Sequence, residues 1–427
     1  MVWVGGRQKP GSGSNRGMDA NELFKTALGL QPPWEVASLD FNLSARRLDI
    51  RVDFQRGSFF PCPVCGSPSK AHDTEERTWR HLDFFQHAAY LTARVPRCNC
   101  DEHGIKTVDV PWARKGSGFT LMFEGLIMIL VREMPVNAVA RLVGEHDTRI
   151  WRVLGHHVDE ARAKQDFSKV KTIAVDEKSY RRGHRYVTFV MDLDLRRLLF
   201  GTVGRDGDTL AAFVEDLKAH GGKAEQIQDV CSDLSPAFIK GIREHLPKAD
   251  ITFDRFHLMK LMNEALDAVR REESPSTPGL KKTRYHWLKN PGDLTQSQKK
   301  RLQELKAMNL QTVEAYQMKL LFQDFFEQAN PRAARLFLVD WCTLAYASKL
   351  KPLMKLAATL QSHSQGILNW WRSRITNGLI EGMNSLIQAA IAKARGYRNP
   401  KNLITIAYLI AGKLTFNTAP TLAGLPT

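Results

Sequence analysis

The sequence contains no run of about 18 apolar residues, the length a membrane-crossing helix requires. The stretch "FEGLIMILV" from Phe123 reaches only about half of that and reads as a core helix. Residues 1–17, "MVWVGGRQKPGSGSNRG", lack the apolar segment of a signal peptide. They are expected to form a flexible tail, with Met1 and Met18 both open as the translation start. Cysteine is scarce, at six in 427 residues, and without a secretory signal this excludes a disulfide framework. Acid is in deficit: 45 Asp and Glu face 61 Lys and Arg, a net charge of +16, which points to a polyanionic partner. An apolar fraction of 43% excludes a disordered chain, and the length implies several domains.

Four of the cysteines fall between Cys62 and Cys100. "CPVCG" supplies Cys62 and Cys65, and "CDEHG" supplies Cys100 and His103. Both have the form ligand, two residues, ligand, glycine. A two-residue gap lets two side chains face one ion, and the glycine permits the tight turn that follows. Together they predict a tetrahedral zinc site, structural because four protein ligands leave no open position. Cys98 is a spare thiol that could replace Cys100 or His103. Between the knuckles "YLTARVPR" alternates and reads as a strand, as in a zinc ribbon.

"MPVNAVARLVGEHDTRIWRVLGHHVDEAR" follows. Val136, Val139, Ala140 and Val143 form a helical apolar stripe, Gly144 stands at a turn, and Ile150, Val153 and Leu154 form the inner face of a second helix. This is helix-turn-helix spacing, with Thr148, Arg149 and Arg152 outside and able to enter a major groove. A plain helical pair would share the pattern.

From Lys171 the pattern is α/β. "TIAVDE", "RYVTFVMD" and "RLLFGTVG" read as successive antiparallel strands; a helix, the strand "QIQDVCSD", a second helix, the strand "ADITFD" and a long helix follow. That order is RNase H-like. Asp176 closes the first strand and Asp233 the fourth, and in this order those strands are neighbours. Two converging carboxylates repel unless a cation lies between them, and Mg²⁺ is the hard, oxygen-liking choice. Alternation turns Glu177 to the opposite face. Asp254 is a reserve ligand, and with His257 it more simply suits a strand-to-helix junction. In "ITNGLIEGMNSLIQAAIAKARGY", Asn377, Glu381, Asn384 and Gln388 form a polar stripe on a helix otherwise built from Leu379, Ile380, Met383, Leu386, Ile387 and Ile391. Amides rather than lysines suit a polar cleft, and Glu381 is the carboxylate of the stripe.

Asp176 in "VDEKSY", Asp233 in "CSDLSPAF" and Glu381 in "TNGLIEGMNSLIQ" resemble the three acids of DDE transposases, more narrowly the ISL-three family of bacterial insertion sequences. The resemblance implies an RNase H-like core, residues 169–258 and 373–427, interrupted by an all-α insertion, 259–372. It places a zinc-ribbon domain at 18–112 and a helix-turn-helix domain at 113–168. It implies cleavage at the element's terminal inverted repeats and joining of the 3′-OH ends to target DNA. The expected cofactors are two Mg²⁺ held by Asp176, Asp233 and Glu381, and structural Zn²⁺. The expected partners are DNA and at least one further copy of the chain, in the bacterial cytoplasm at the nucleoid and away from membranes. Eight Lys and Arg against two acids between Lys281 and Lys306 mark a further DNA contact, led by Lys281, Lys282 and Arg284. Trp370 and Trp371 read as one core and one rim residue. The rival readings are a DNA-binding regulator that no longer cleaves and a junction-resolving nuclease on the same sheet.

Overall fold

The computed structural model describes residues 19–181, 185–375 and 378–416. The expected tail, with both candidate starts, lies outside these residues, as does Asn377. The chain forms two compact units, divided between Val153 and Leu154.

In the first unit α1 (Ala20–Ala27) precedes β1 (Trp34–Asn42), β2 (Arg47–Phe54), β3 (Phe59–Pro61), β4 (Pro68–Arg80), β5 (Ala88–Cys100) and β6 (Gly104–Thr107). The sheet order is β1-β2-β5-β4-β3, and β6 pairs with β5. β5 is the spine because its alternating residues Ala89, Leu91, Ala93 and Val95 are all buried. Trp34, Phe60, Trp79 and Trp112 close the core through edge-to-face and tilted ring contacts. Next come α2 (Leu121–Glu133), α3 (Val136–Val143) and α4 (Asp147–Ala163), the last running on past the unit boundary. All four residues of the expected α3 stripe are buried, as are Ile150, Val153 and Leu154 on α4. Gly144 caps α3 at φ 69°, in the left-handed region the turn needs.

The second unit contains β7 (Thr172–Arg181), β8 (Arg185–Asp192), β9 (Arg197–Val203), α5 (Gly207–Ala219), β10 (Asp229–Ser232), α6 (Pro236–His245), β11 (Asp250–Phe253) and α7 (Arg255–Glu273). The sheet order is β11-β10-β7-β8-β9, with β7–β8–β9 antiparallel and β10 and β11 parallel to β7. The first and fourth strands of the unit are therefore neighbours. One expectation needs correction: β7 does not close at Asp176 but continues to Arg181, because β8 keeps pairing with it there. Asp176 instead lies where β7 loses its other neighbour, since β10 ends at Ser232.

Ile173 and Val175 pack with Val230, Leu210, Phe213, Phe238 and Ile242 beneath α5 and α6. By alternation Ala174 and Asp176 face the other way, as do Cys231 and Asp233. From α7 the chain is helical: α8 (Arg284–Leu288), α9 (Gln296–Lys306), α10 (Gln311–Asp324), α11 (Pro331–Ala347), α12 (Lys351–Ser362), α13 (Ser364–Leu368) and α14 (Trp370–Ser373). These helices share a core around Trp287, Tyr316, Phe322, Phe325 and Trp341. Lys319 is buried among them and donates to the backbone carbonyls of Trp287, Leu288 and Lys289, closing the end of α8. Then α15 (Gly378–Lys393) packs on β7, and α16 (Pro400–Ala411) packs on β9, where Tyr408 accepts the Gly201 N–H.

Candidate functional site

The metal-ligand cluster of the first unit is made by two hairpin turns. Cys62 and Cys65 lie in the β3–β4 turn, Cys100 ends β5, and His103 lies in the β5–β6 turn. Gly66 and Gly104 follow the second ligand of each turn at φ 75° and 64°, which a side chain would oppose. The ligand atoms of Cys62, Cys65, Cys100 and His103 all lie within 4.8 Å of one another. Cys65 and Cys100 sulfurs are 3.6 Å apart, and Cys100 Sγ is 3.7 Å from His103 Nδ1. Tetrahedral zinc, with metal–sulfur bonds of about 2.3 Å, separates its ligand atoms by about 3.5–3.8 Å. The spacing therefore fits such an ion. Backbone N–H groups of Cys65 and Val64 lower the Cys62 thiol to about 7, which favours the thiolate a metal binds. Cys98 stands outside the cluster. It shares the β5 face with Cys100 but lies one pleat deeper, fully buried, and burial pushes its thiol up.

In the second unit the β7–β10 register pairs Asp229 with Thr172, Val230 with Ile173 and Cys231 with Ala174. The same offset carried on brings Asp233 alongside Asp176. The Asp176 carboxyl is raised above its usual range, chiefly by burial; Asn384 and His257 oppose this, and Asp233 adds to it. Asp233 also accepts the Ser235 N–H at 2.9 Å, which fixes the turn into α6. Glu177 stays near the cluster despite strand alternation. Its carboxyl is raised first by burial and then by Asp233, because beyond the end of β10 a long side chain can reach round the strand.

Asp254 caps α7 through the Phe256 N–H and holds His257 Nδ1 at 2.8 Å, so its oxygens are engaged in the junction. That hydrogen bond raises the His257 pKa, and the charges of Asp254, Asp233 and Asp176 add to it. His257 thus faces both candidate ligands from α7.

On α15, Ile380, Met383 and Ile387 are buried as the apolar stripe requires, whereas Leu386 is exposed. Among the described residues of the polar stripe, Asn384 reaches the sheet: its Nδ2 donates to Asp176 Oδ2. Glu381 and Gln388 are exposed. The expected convergence of three acids therefore appears as two acids and an amide, with Glu381 one turn from the amide. The sequence pattern marked Asn384 as polar but gave no sign that it, rather than Glu381, would touch Asp176.

Thr148 and Arg152 are exposed at the start of α4. Arg149 is engaged at home: it pairs with Glu145 and lies 4.1 Å from the Phe119 ring centre. Lys281 and Lys282 are exposed, and Arg284 reaches Asp267 at 3.4 Å. Trp371 is buried, with its N–H on the Gln328 carbonyl, and Trp370 is half-buried under Arg374, the expected core and rim pair. No helix among the described residues is long and apolar enough to cross a membrane.

Residues 173–407 match a family described as transposase. Residues 108–158 match the helix-turn-helix domain of transposase family ISL3, and residues 58–103 match the zinc-finger of transposase IS204/IS1001/IS1096/IS1165. The chain is 29% identical to the transposase for insertion sequence element IS1557 of Mycobacterium tuberculosis, over 94% of this chain and 97% of that protein. It is also 29% identical to the transposase for insertion sequence element IS1001 of Bordetella parapertussis, over 79% of this chain and 85% of that one. Three matched segments in this order, covering ribbon, helix-turn-helix and sheet, place the chain in the ISL3 family of insertion-sequence transposases.

Proposed function

We propose that this transposase cuts DNA at the terminal inverted repeats of its element and joins the 3′-OH ends to target DNA at a divalent-metal site formed by Asp176, Asp233 and Glu381. The observation that carries this is the adjacency of β7 and β10, which sets Asp176 and Asp233 on one face beneath α15. Half-buried carboxylates that crowd each other fit a cation, and so does the buried Asn384 Oδ1, which has no hydrogen-bond partner among the described residues. The preferred cation is Mg²⁺, as a pair. When bound, such ions supply an activated water at the scissile phosphodiester and neutralise charge on the leaving 3′-oxygen. The residues do the rest. Asp176 is oriented by Asn384, Asp233 by the turn into α6, and His257, held by Asp254, lies beside both. Glu381 is exposed one turn before Asn384 and would complete the ligand set from that helix.

In this reading the sheet is an RNase H-like core, residues 169–258 and 373–427, and the helices of 259–372 are its insertion. The ribbon domain, 18–112, holds structural zinc on Cys62, Cys65, Cys100 and His103. With the helix-turn-helix domain, 113–168, it recognises the element's ends, using Thr148 and Arg152 as the exposed contacts. Arg149 contributes only if it releases Glu145. Lys281, Lys282 and Arg284 hold flanking DNA by its phosphates. Two ends are cut together, so the active assembly contains at least two chains.

The test is Mg²⁺-dependent cleavage of the element's own terminal DNA by the full chain and by Asp176→Asn, Asp233→Asn and Glu381→Gln. Each substitution is expected to lower cleavage more than about 100-fold. Cleavage that survives Asp233→Asn and Glu381→Gln removes the mechanism. A wild-type chain that binds the ends without cutting them leaves the regulator reading, and one that cuts branched DNA regardless of sequence leaves the junction nuclease.

A further inference from the structure

Asn384 does something no surface amide needs to do. Its Nδ2 donates to Asp176, while its Oδ1 is buried and accepts nothing among the described residues. Buried side-chain oxygens are nearly always paired, and an unpaired one next to a carboxylate calls for an explanation. Both amide atoms hang from one carbon, so the bond that holds Asp176 also holds the orphan oxygen beside it. The neighbourhood is rich in acceptors. Asp176, Asp233 and Glu177 influence one another there, and the nearby donor His257 already serves Asp254. An oxygen facing such surroundings cannot be satisfied by more carboxylate. It can be satisfied by an ordered water, by a cation, or by a water on a cation.

We infer that Asn384 is part of the divalent-cation site, offering its side-chain oxygen to the ion or to an ion-bound water while its N–H holds Asp176 in position. This rests on the carboxylate-site reading above and adds a residue to it. An amide suits the task because it is a hard oxygen donor without charge. A further carboxylate in direct contact with Asp176 would deepen the repulsion in the metal-free protein; the amide binds Asp176 through one end and leaves the other for the ion. It also explains the division of labour on α15. Asn384 meets β7 where α15 packs on it, and Glu381, one turn earlier, is exposed.

The test needs no DNA and no turnover. Mn²⁺ is titrated into the zinc-loaded full chain, and free Mn²⁺ is followed by electron paramagnetic resonance, with thermal melting recorded in parallel. Asn384→Leu, which keeps the volume and loses both polar atoms, is expected to weaken Mn²⁺ binding about tenfold or more. Asn384→Asp, which keeps the oxygen, is expected to bind at least as tightly as the wild type. A purely structural Asn384 gives the opposite pattern: both variants melt earlier and both bind Mn²⁺ as the wild type does, which overturns the inference. Weakened binding in Asn384→Asp with normal binding in Asn384→Leu overturns it as well. The double variant Asp176→Asn/Asp233→Asn separates the two levels. If it binds Mn²⁺ normally, the carboxylate site itself is wrong; if it fails to bind while both Asn384 variants bind normally, only the role of Asn384 is. Should Asn384→Leu not fold, Asn384→Ala takes its place: weakened Mn²⁺ binding beside retained binding in Asn384→Asp supports an oxygen ligand, and wild-type binding in both refutes it.

Discussion

Acid should loosen the joint between the ribbon sheet and the first helix after it, and His81 sets the pH at which this happens. His81 follows the last residue of β4, and its Nδ1 is 2.9 Å from Thr120 Oγ1. Thr120 is the N-cap of α2 and accepts the Phe123 N–H at 3.3 Å. The arrangement suits a neutral imidazole that accepts the threonine hydroxyl proton. Burial, and then the charge of Arg80, lower the His81 pKa from the ordinary 6.5 to about 4. The sign follows from which state takes up the proton. Above pH 6.5 histidine is neutral both folded and unfolded, and nothing is lost. Between 6.5 and about 4 the unfolded chain binds the proton and the folded chain does not, so stability falls as pH falls. At about 1.4 kcal/mol per pH unit the loss reaches about 2 kcal/mol at pH 5 and about 3 kcal/mol at pH 4.

The matching perturbation is His81→Gln, which retains an acceptor and cannot titrate. A chain of several units does not unfold in one step, so the measurement is local: amide exchange at Phe123 and Glu124 in the full chain, wild type against variant, at pH 7 and pH 5. Any effect of pH on the metal cluster is common to both proteins and cancels in the difference. The wild type should lose about 2 kcal/mol more protection than the variant between the two pH values. Equal losses would refute the argument, because they would mean that His81 takes up its proton in the folded state as readily as in the unfolded one.

Three further outcomes follow from the geometry. Cys98→Ala should retain zinc at wild-type stoichiometry, whereas Cys100→Ala should lose affinity by orders of magnitude; metal analysis after gel filtration checks both. Chelation of zinc from the wild type should raise amide exchange in β3, β6 and the turns that carry the ligands, and leave β7–β11 protected, since the ligands all belong to the first unit. Gly366→Ala should lower stability by about 1–3 kcal/mol, because a Cβ there would lie 2.4 Å from Phe253 Cε2 and 3.2 Å from the Ile251 carbonyl, so α13 must move off β11; a shift in melting of less than a degree would contradict this.

Where a residue's partner is local, the sequence showed it. The zinc knuckles, the α3 stripe and the apolar strands of the second unit each carry their reason within a few residues. β4 did not: six of the thirteen residues of "PSKAHDTEERTWR" are charged, and no apolar alternation marks it as a strand. It becomes a strand because β5 offers it an apolar, unbroken partner from Cys98 back to Tyr90, and Arg97 pairs across the ladder with Asp73. The end of β7 was misjudged for a similar reason: polar residues after Asp176 suggest a stop, but β8 supplies pairing on one side after β10 has ceased on the other.

The site itself shows the limit most sharply. Helical spacing put Glu381 and Asn384 on one stripe but could not say which would meet the sheet, because one turn of rise and a small rotation of α15 exchange them. Where α15 packs on β7 decides it, and that depends on Ile380, Met383 and Ile387 filling the space beneath the helix. The structure leaves Glu381 exposed, against the expected convergence, and in the proposed site this implies an order of assembly. Two carboxylates held beside a neutral amide fold with less repulsion than three would, and the third charge becomes favourable only once cations are present to receive it.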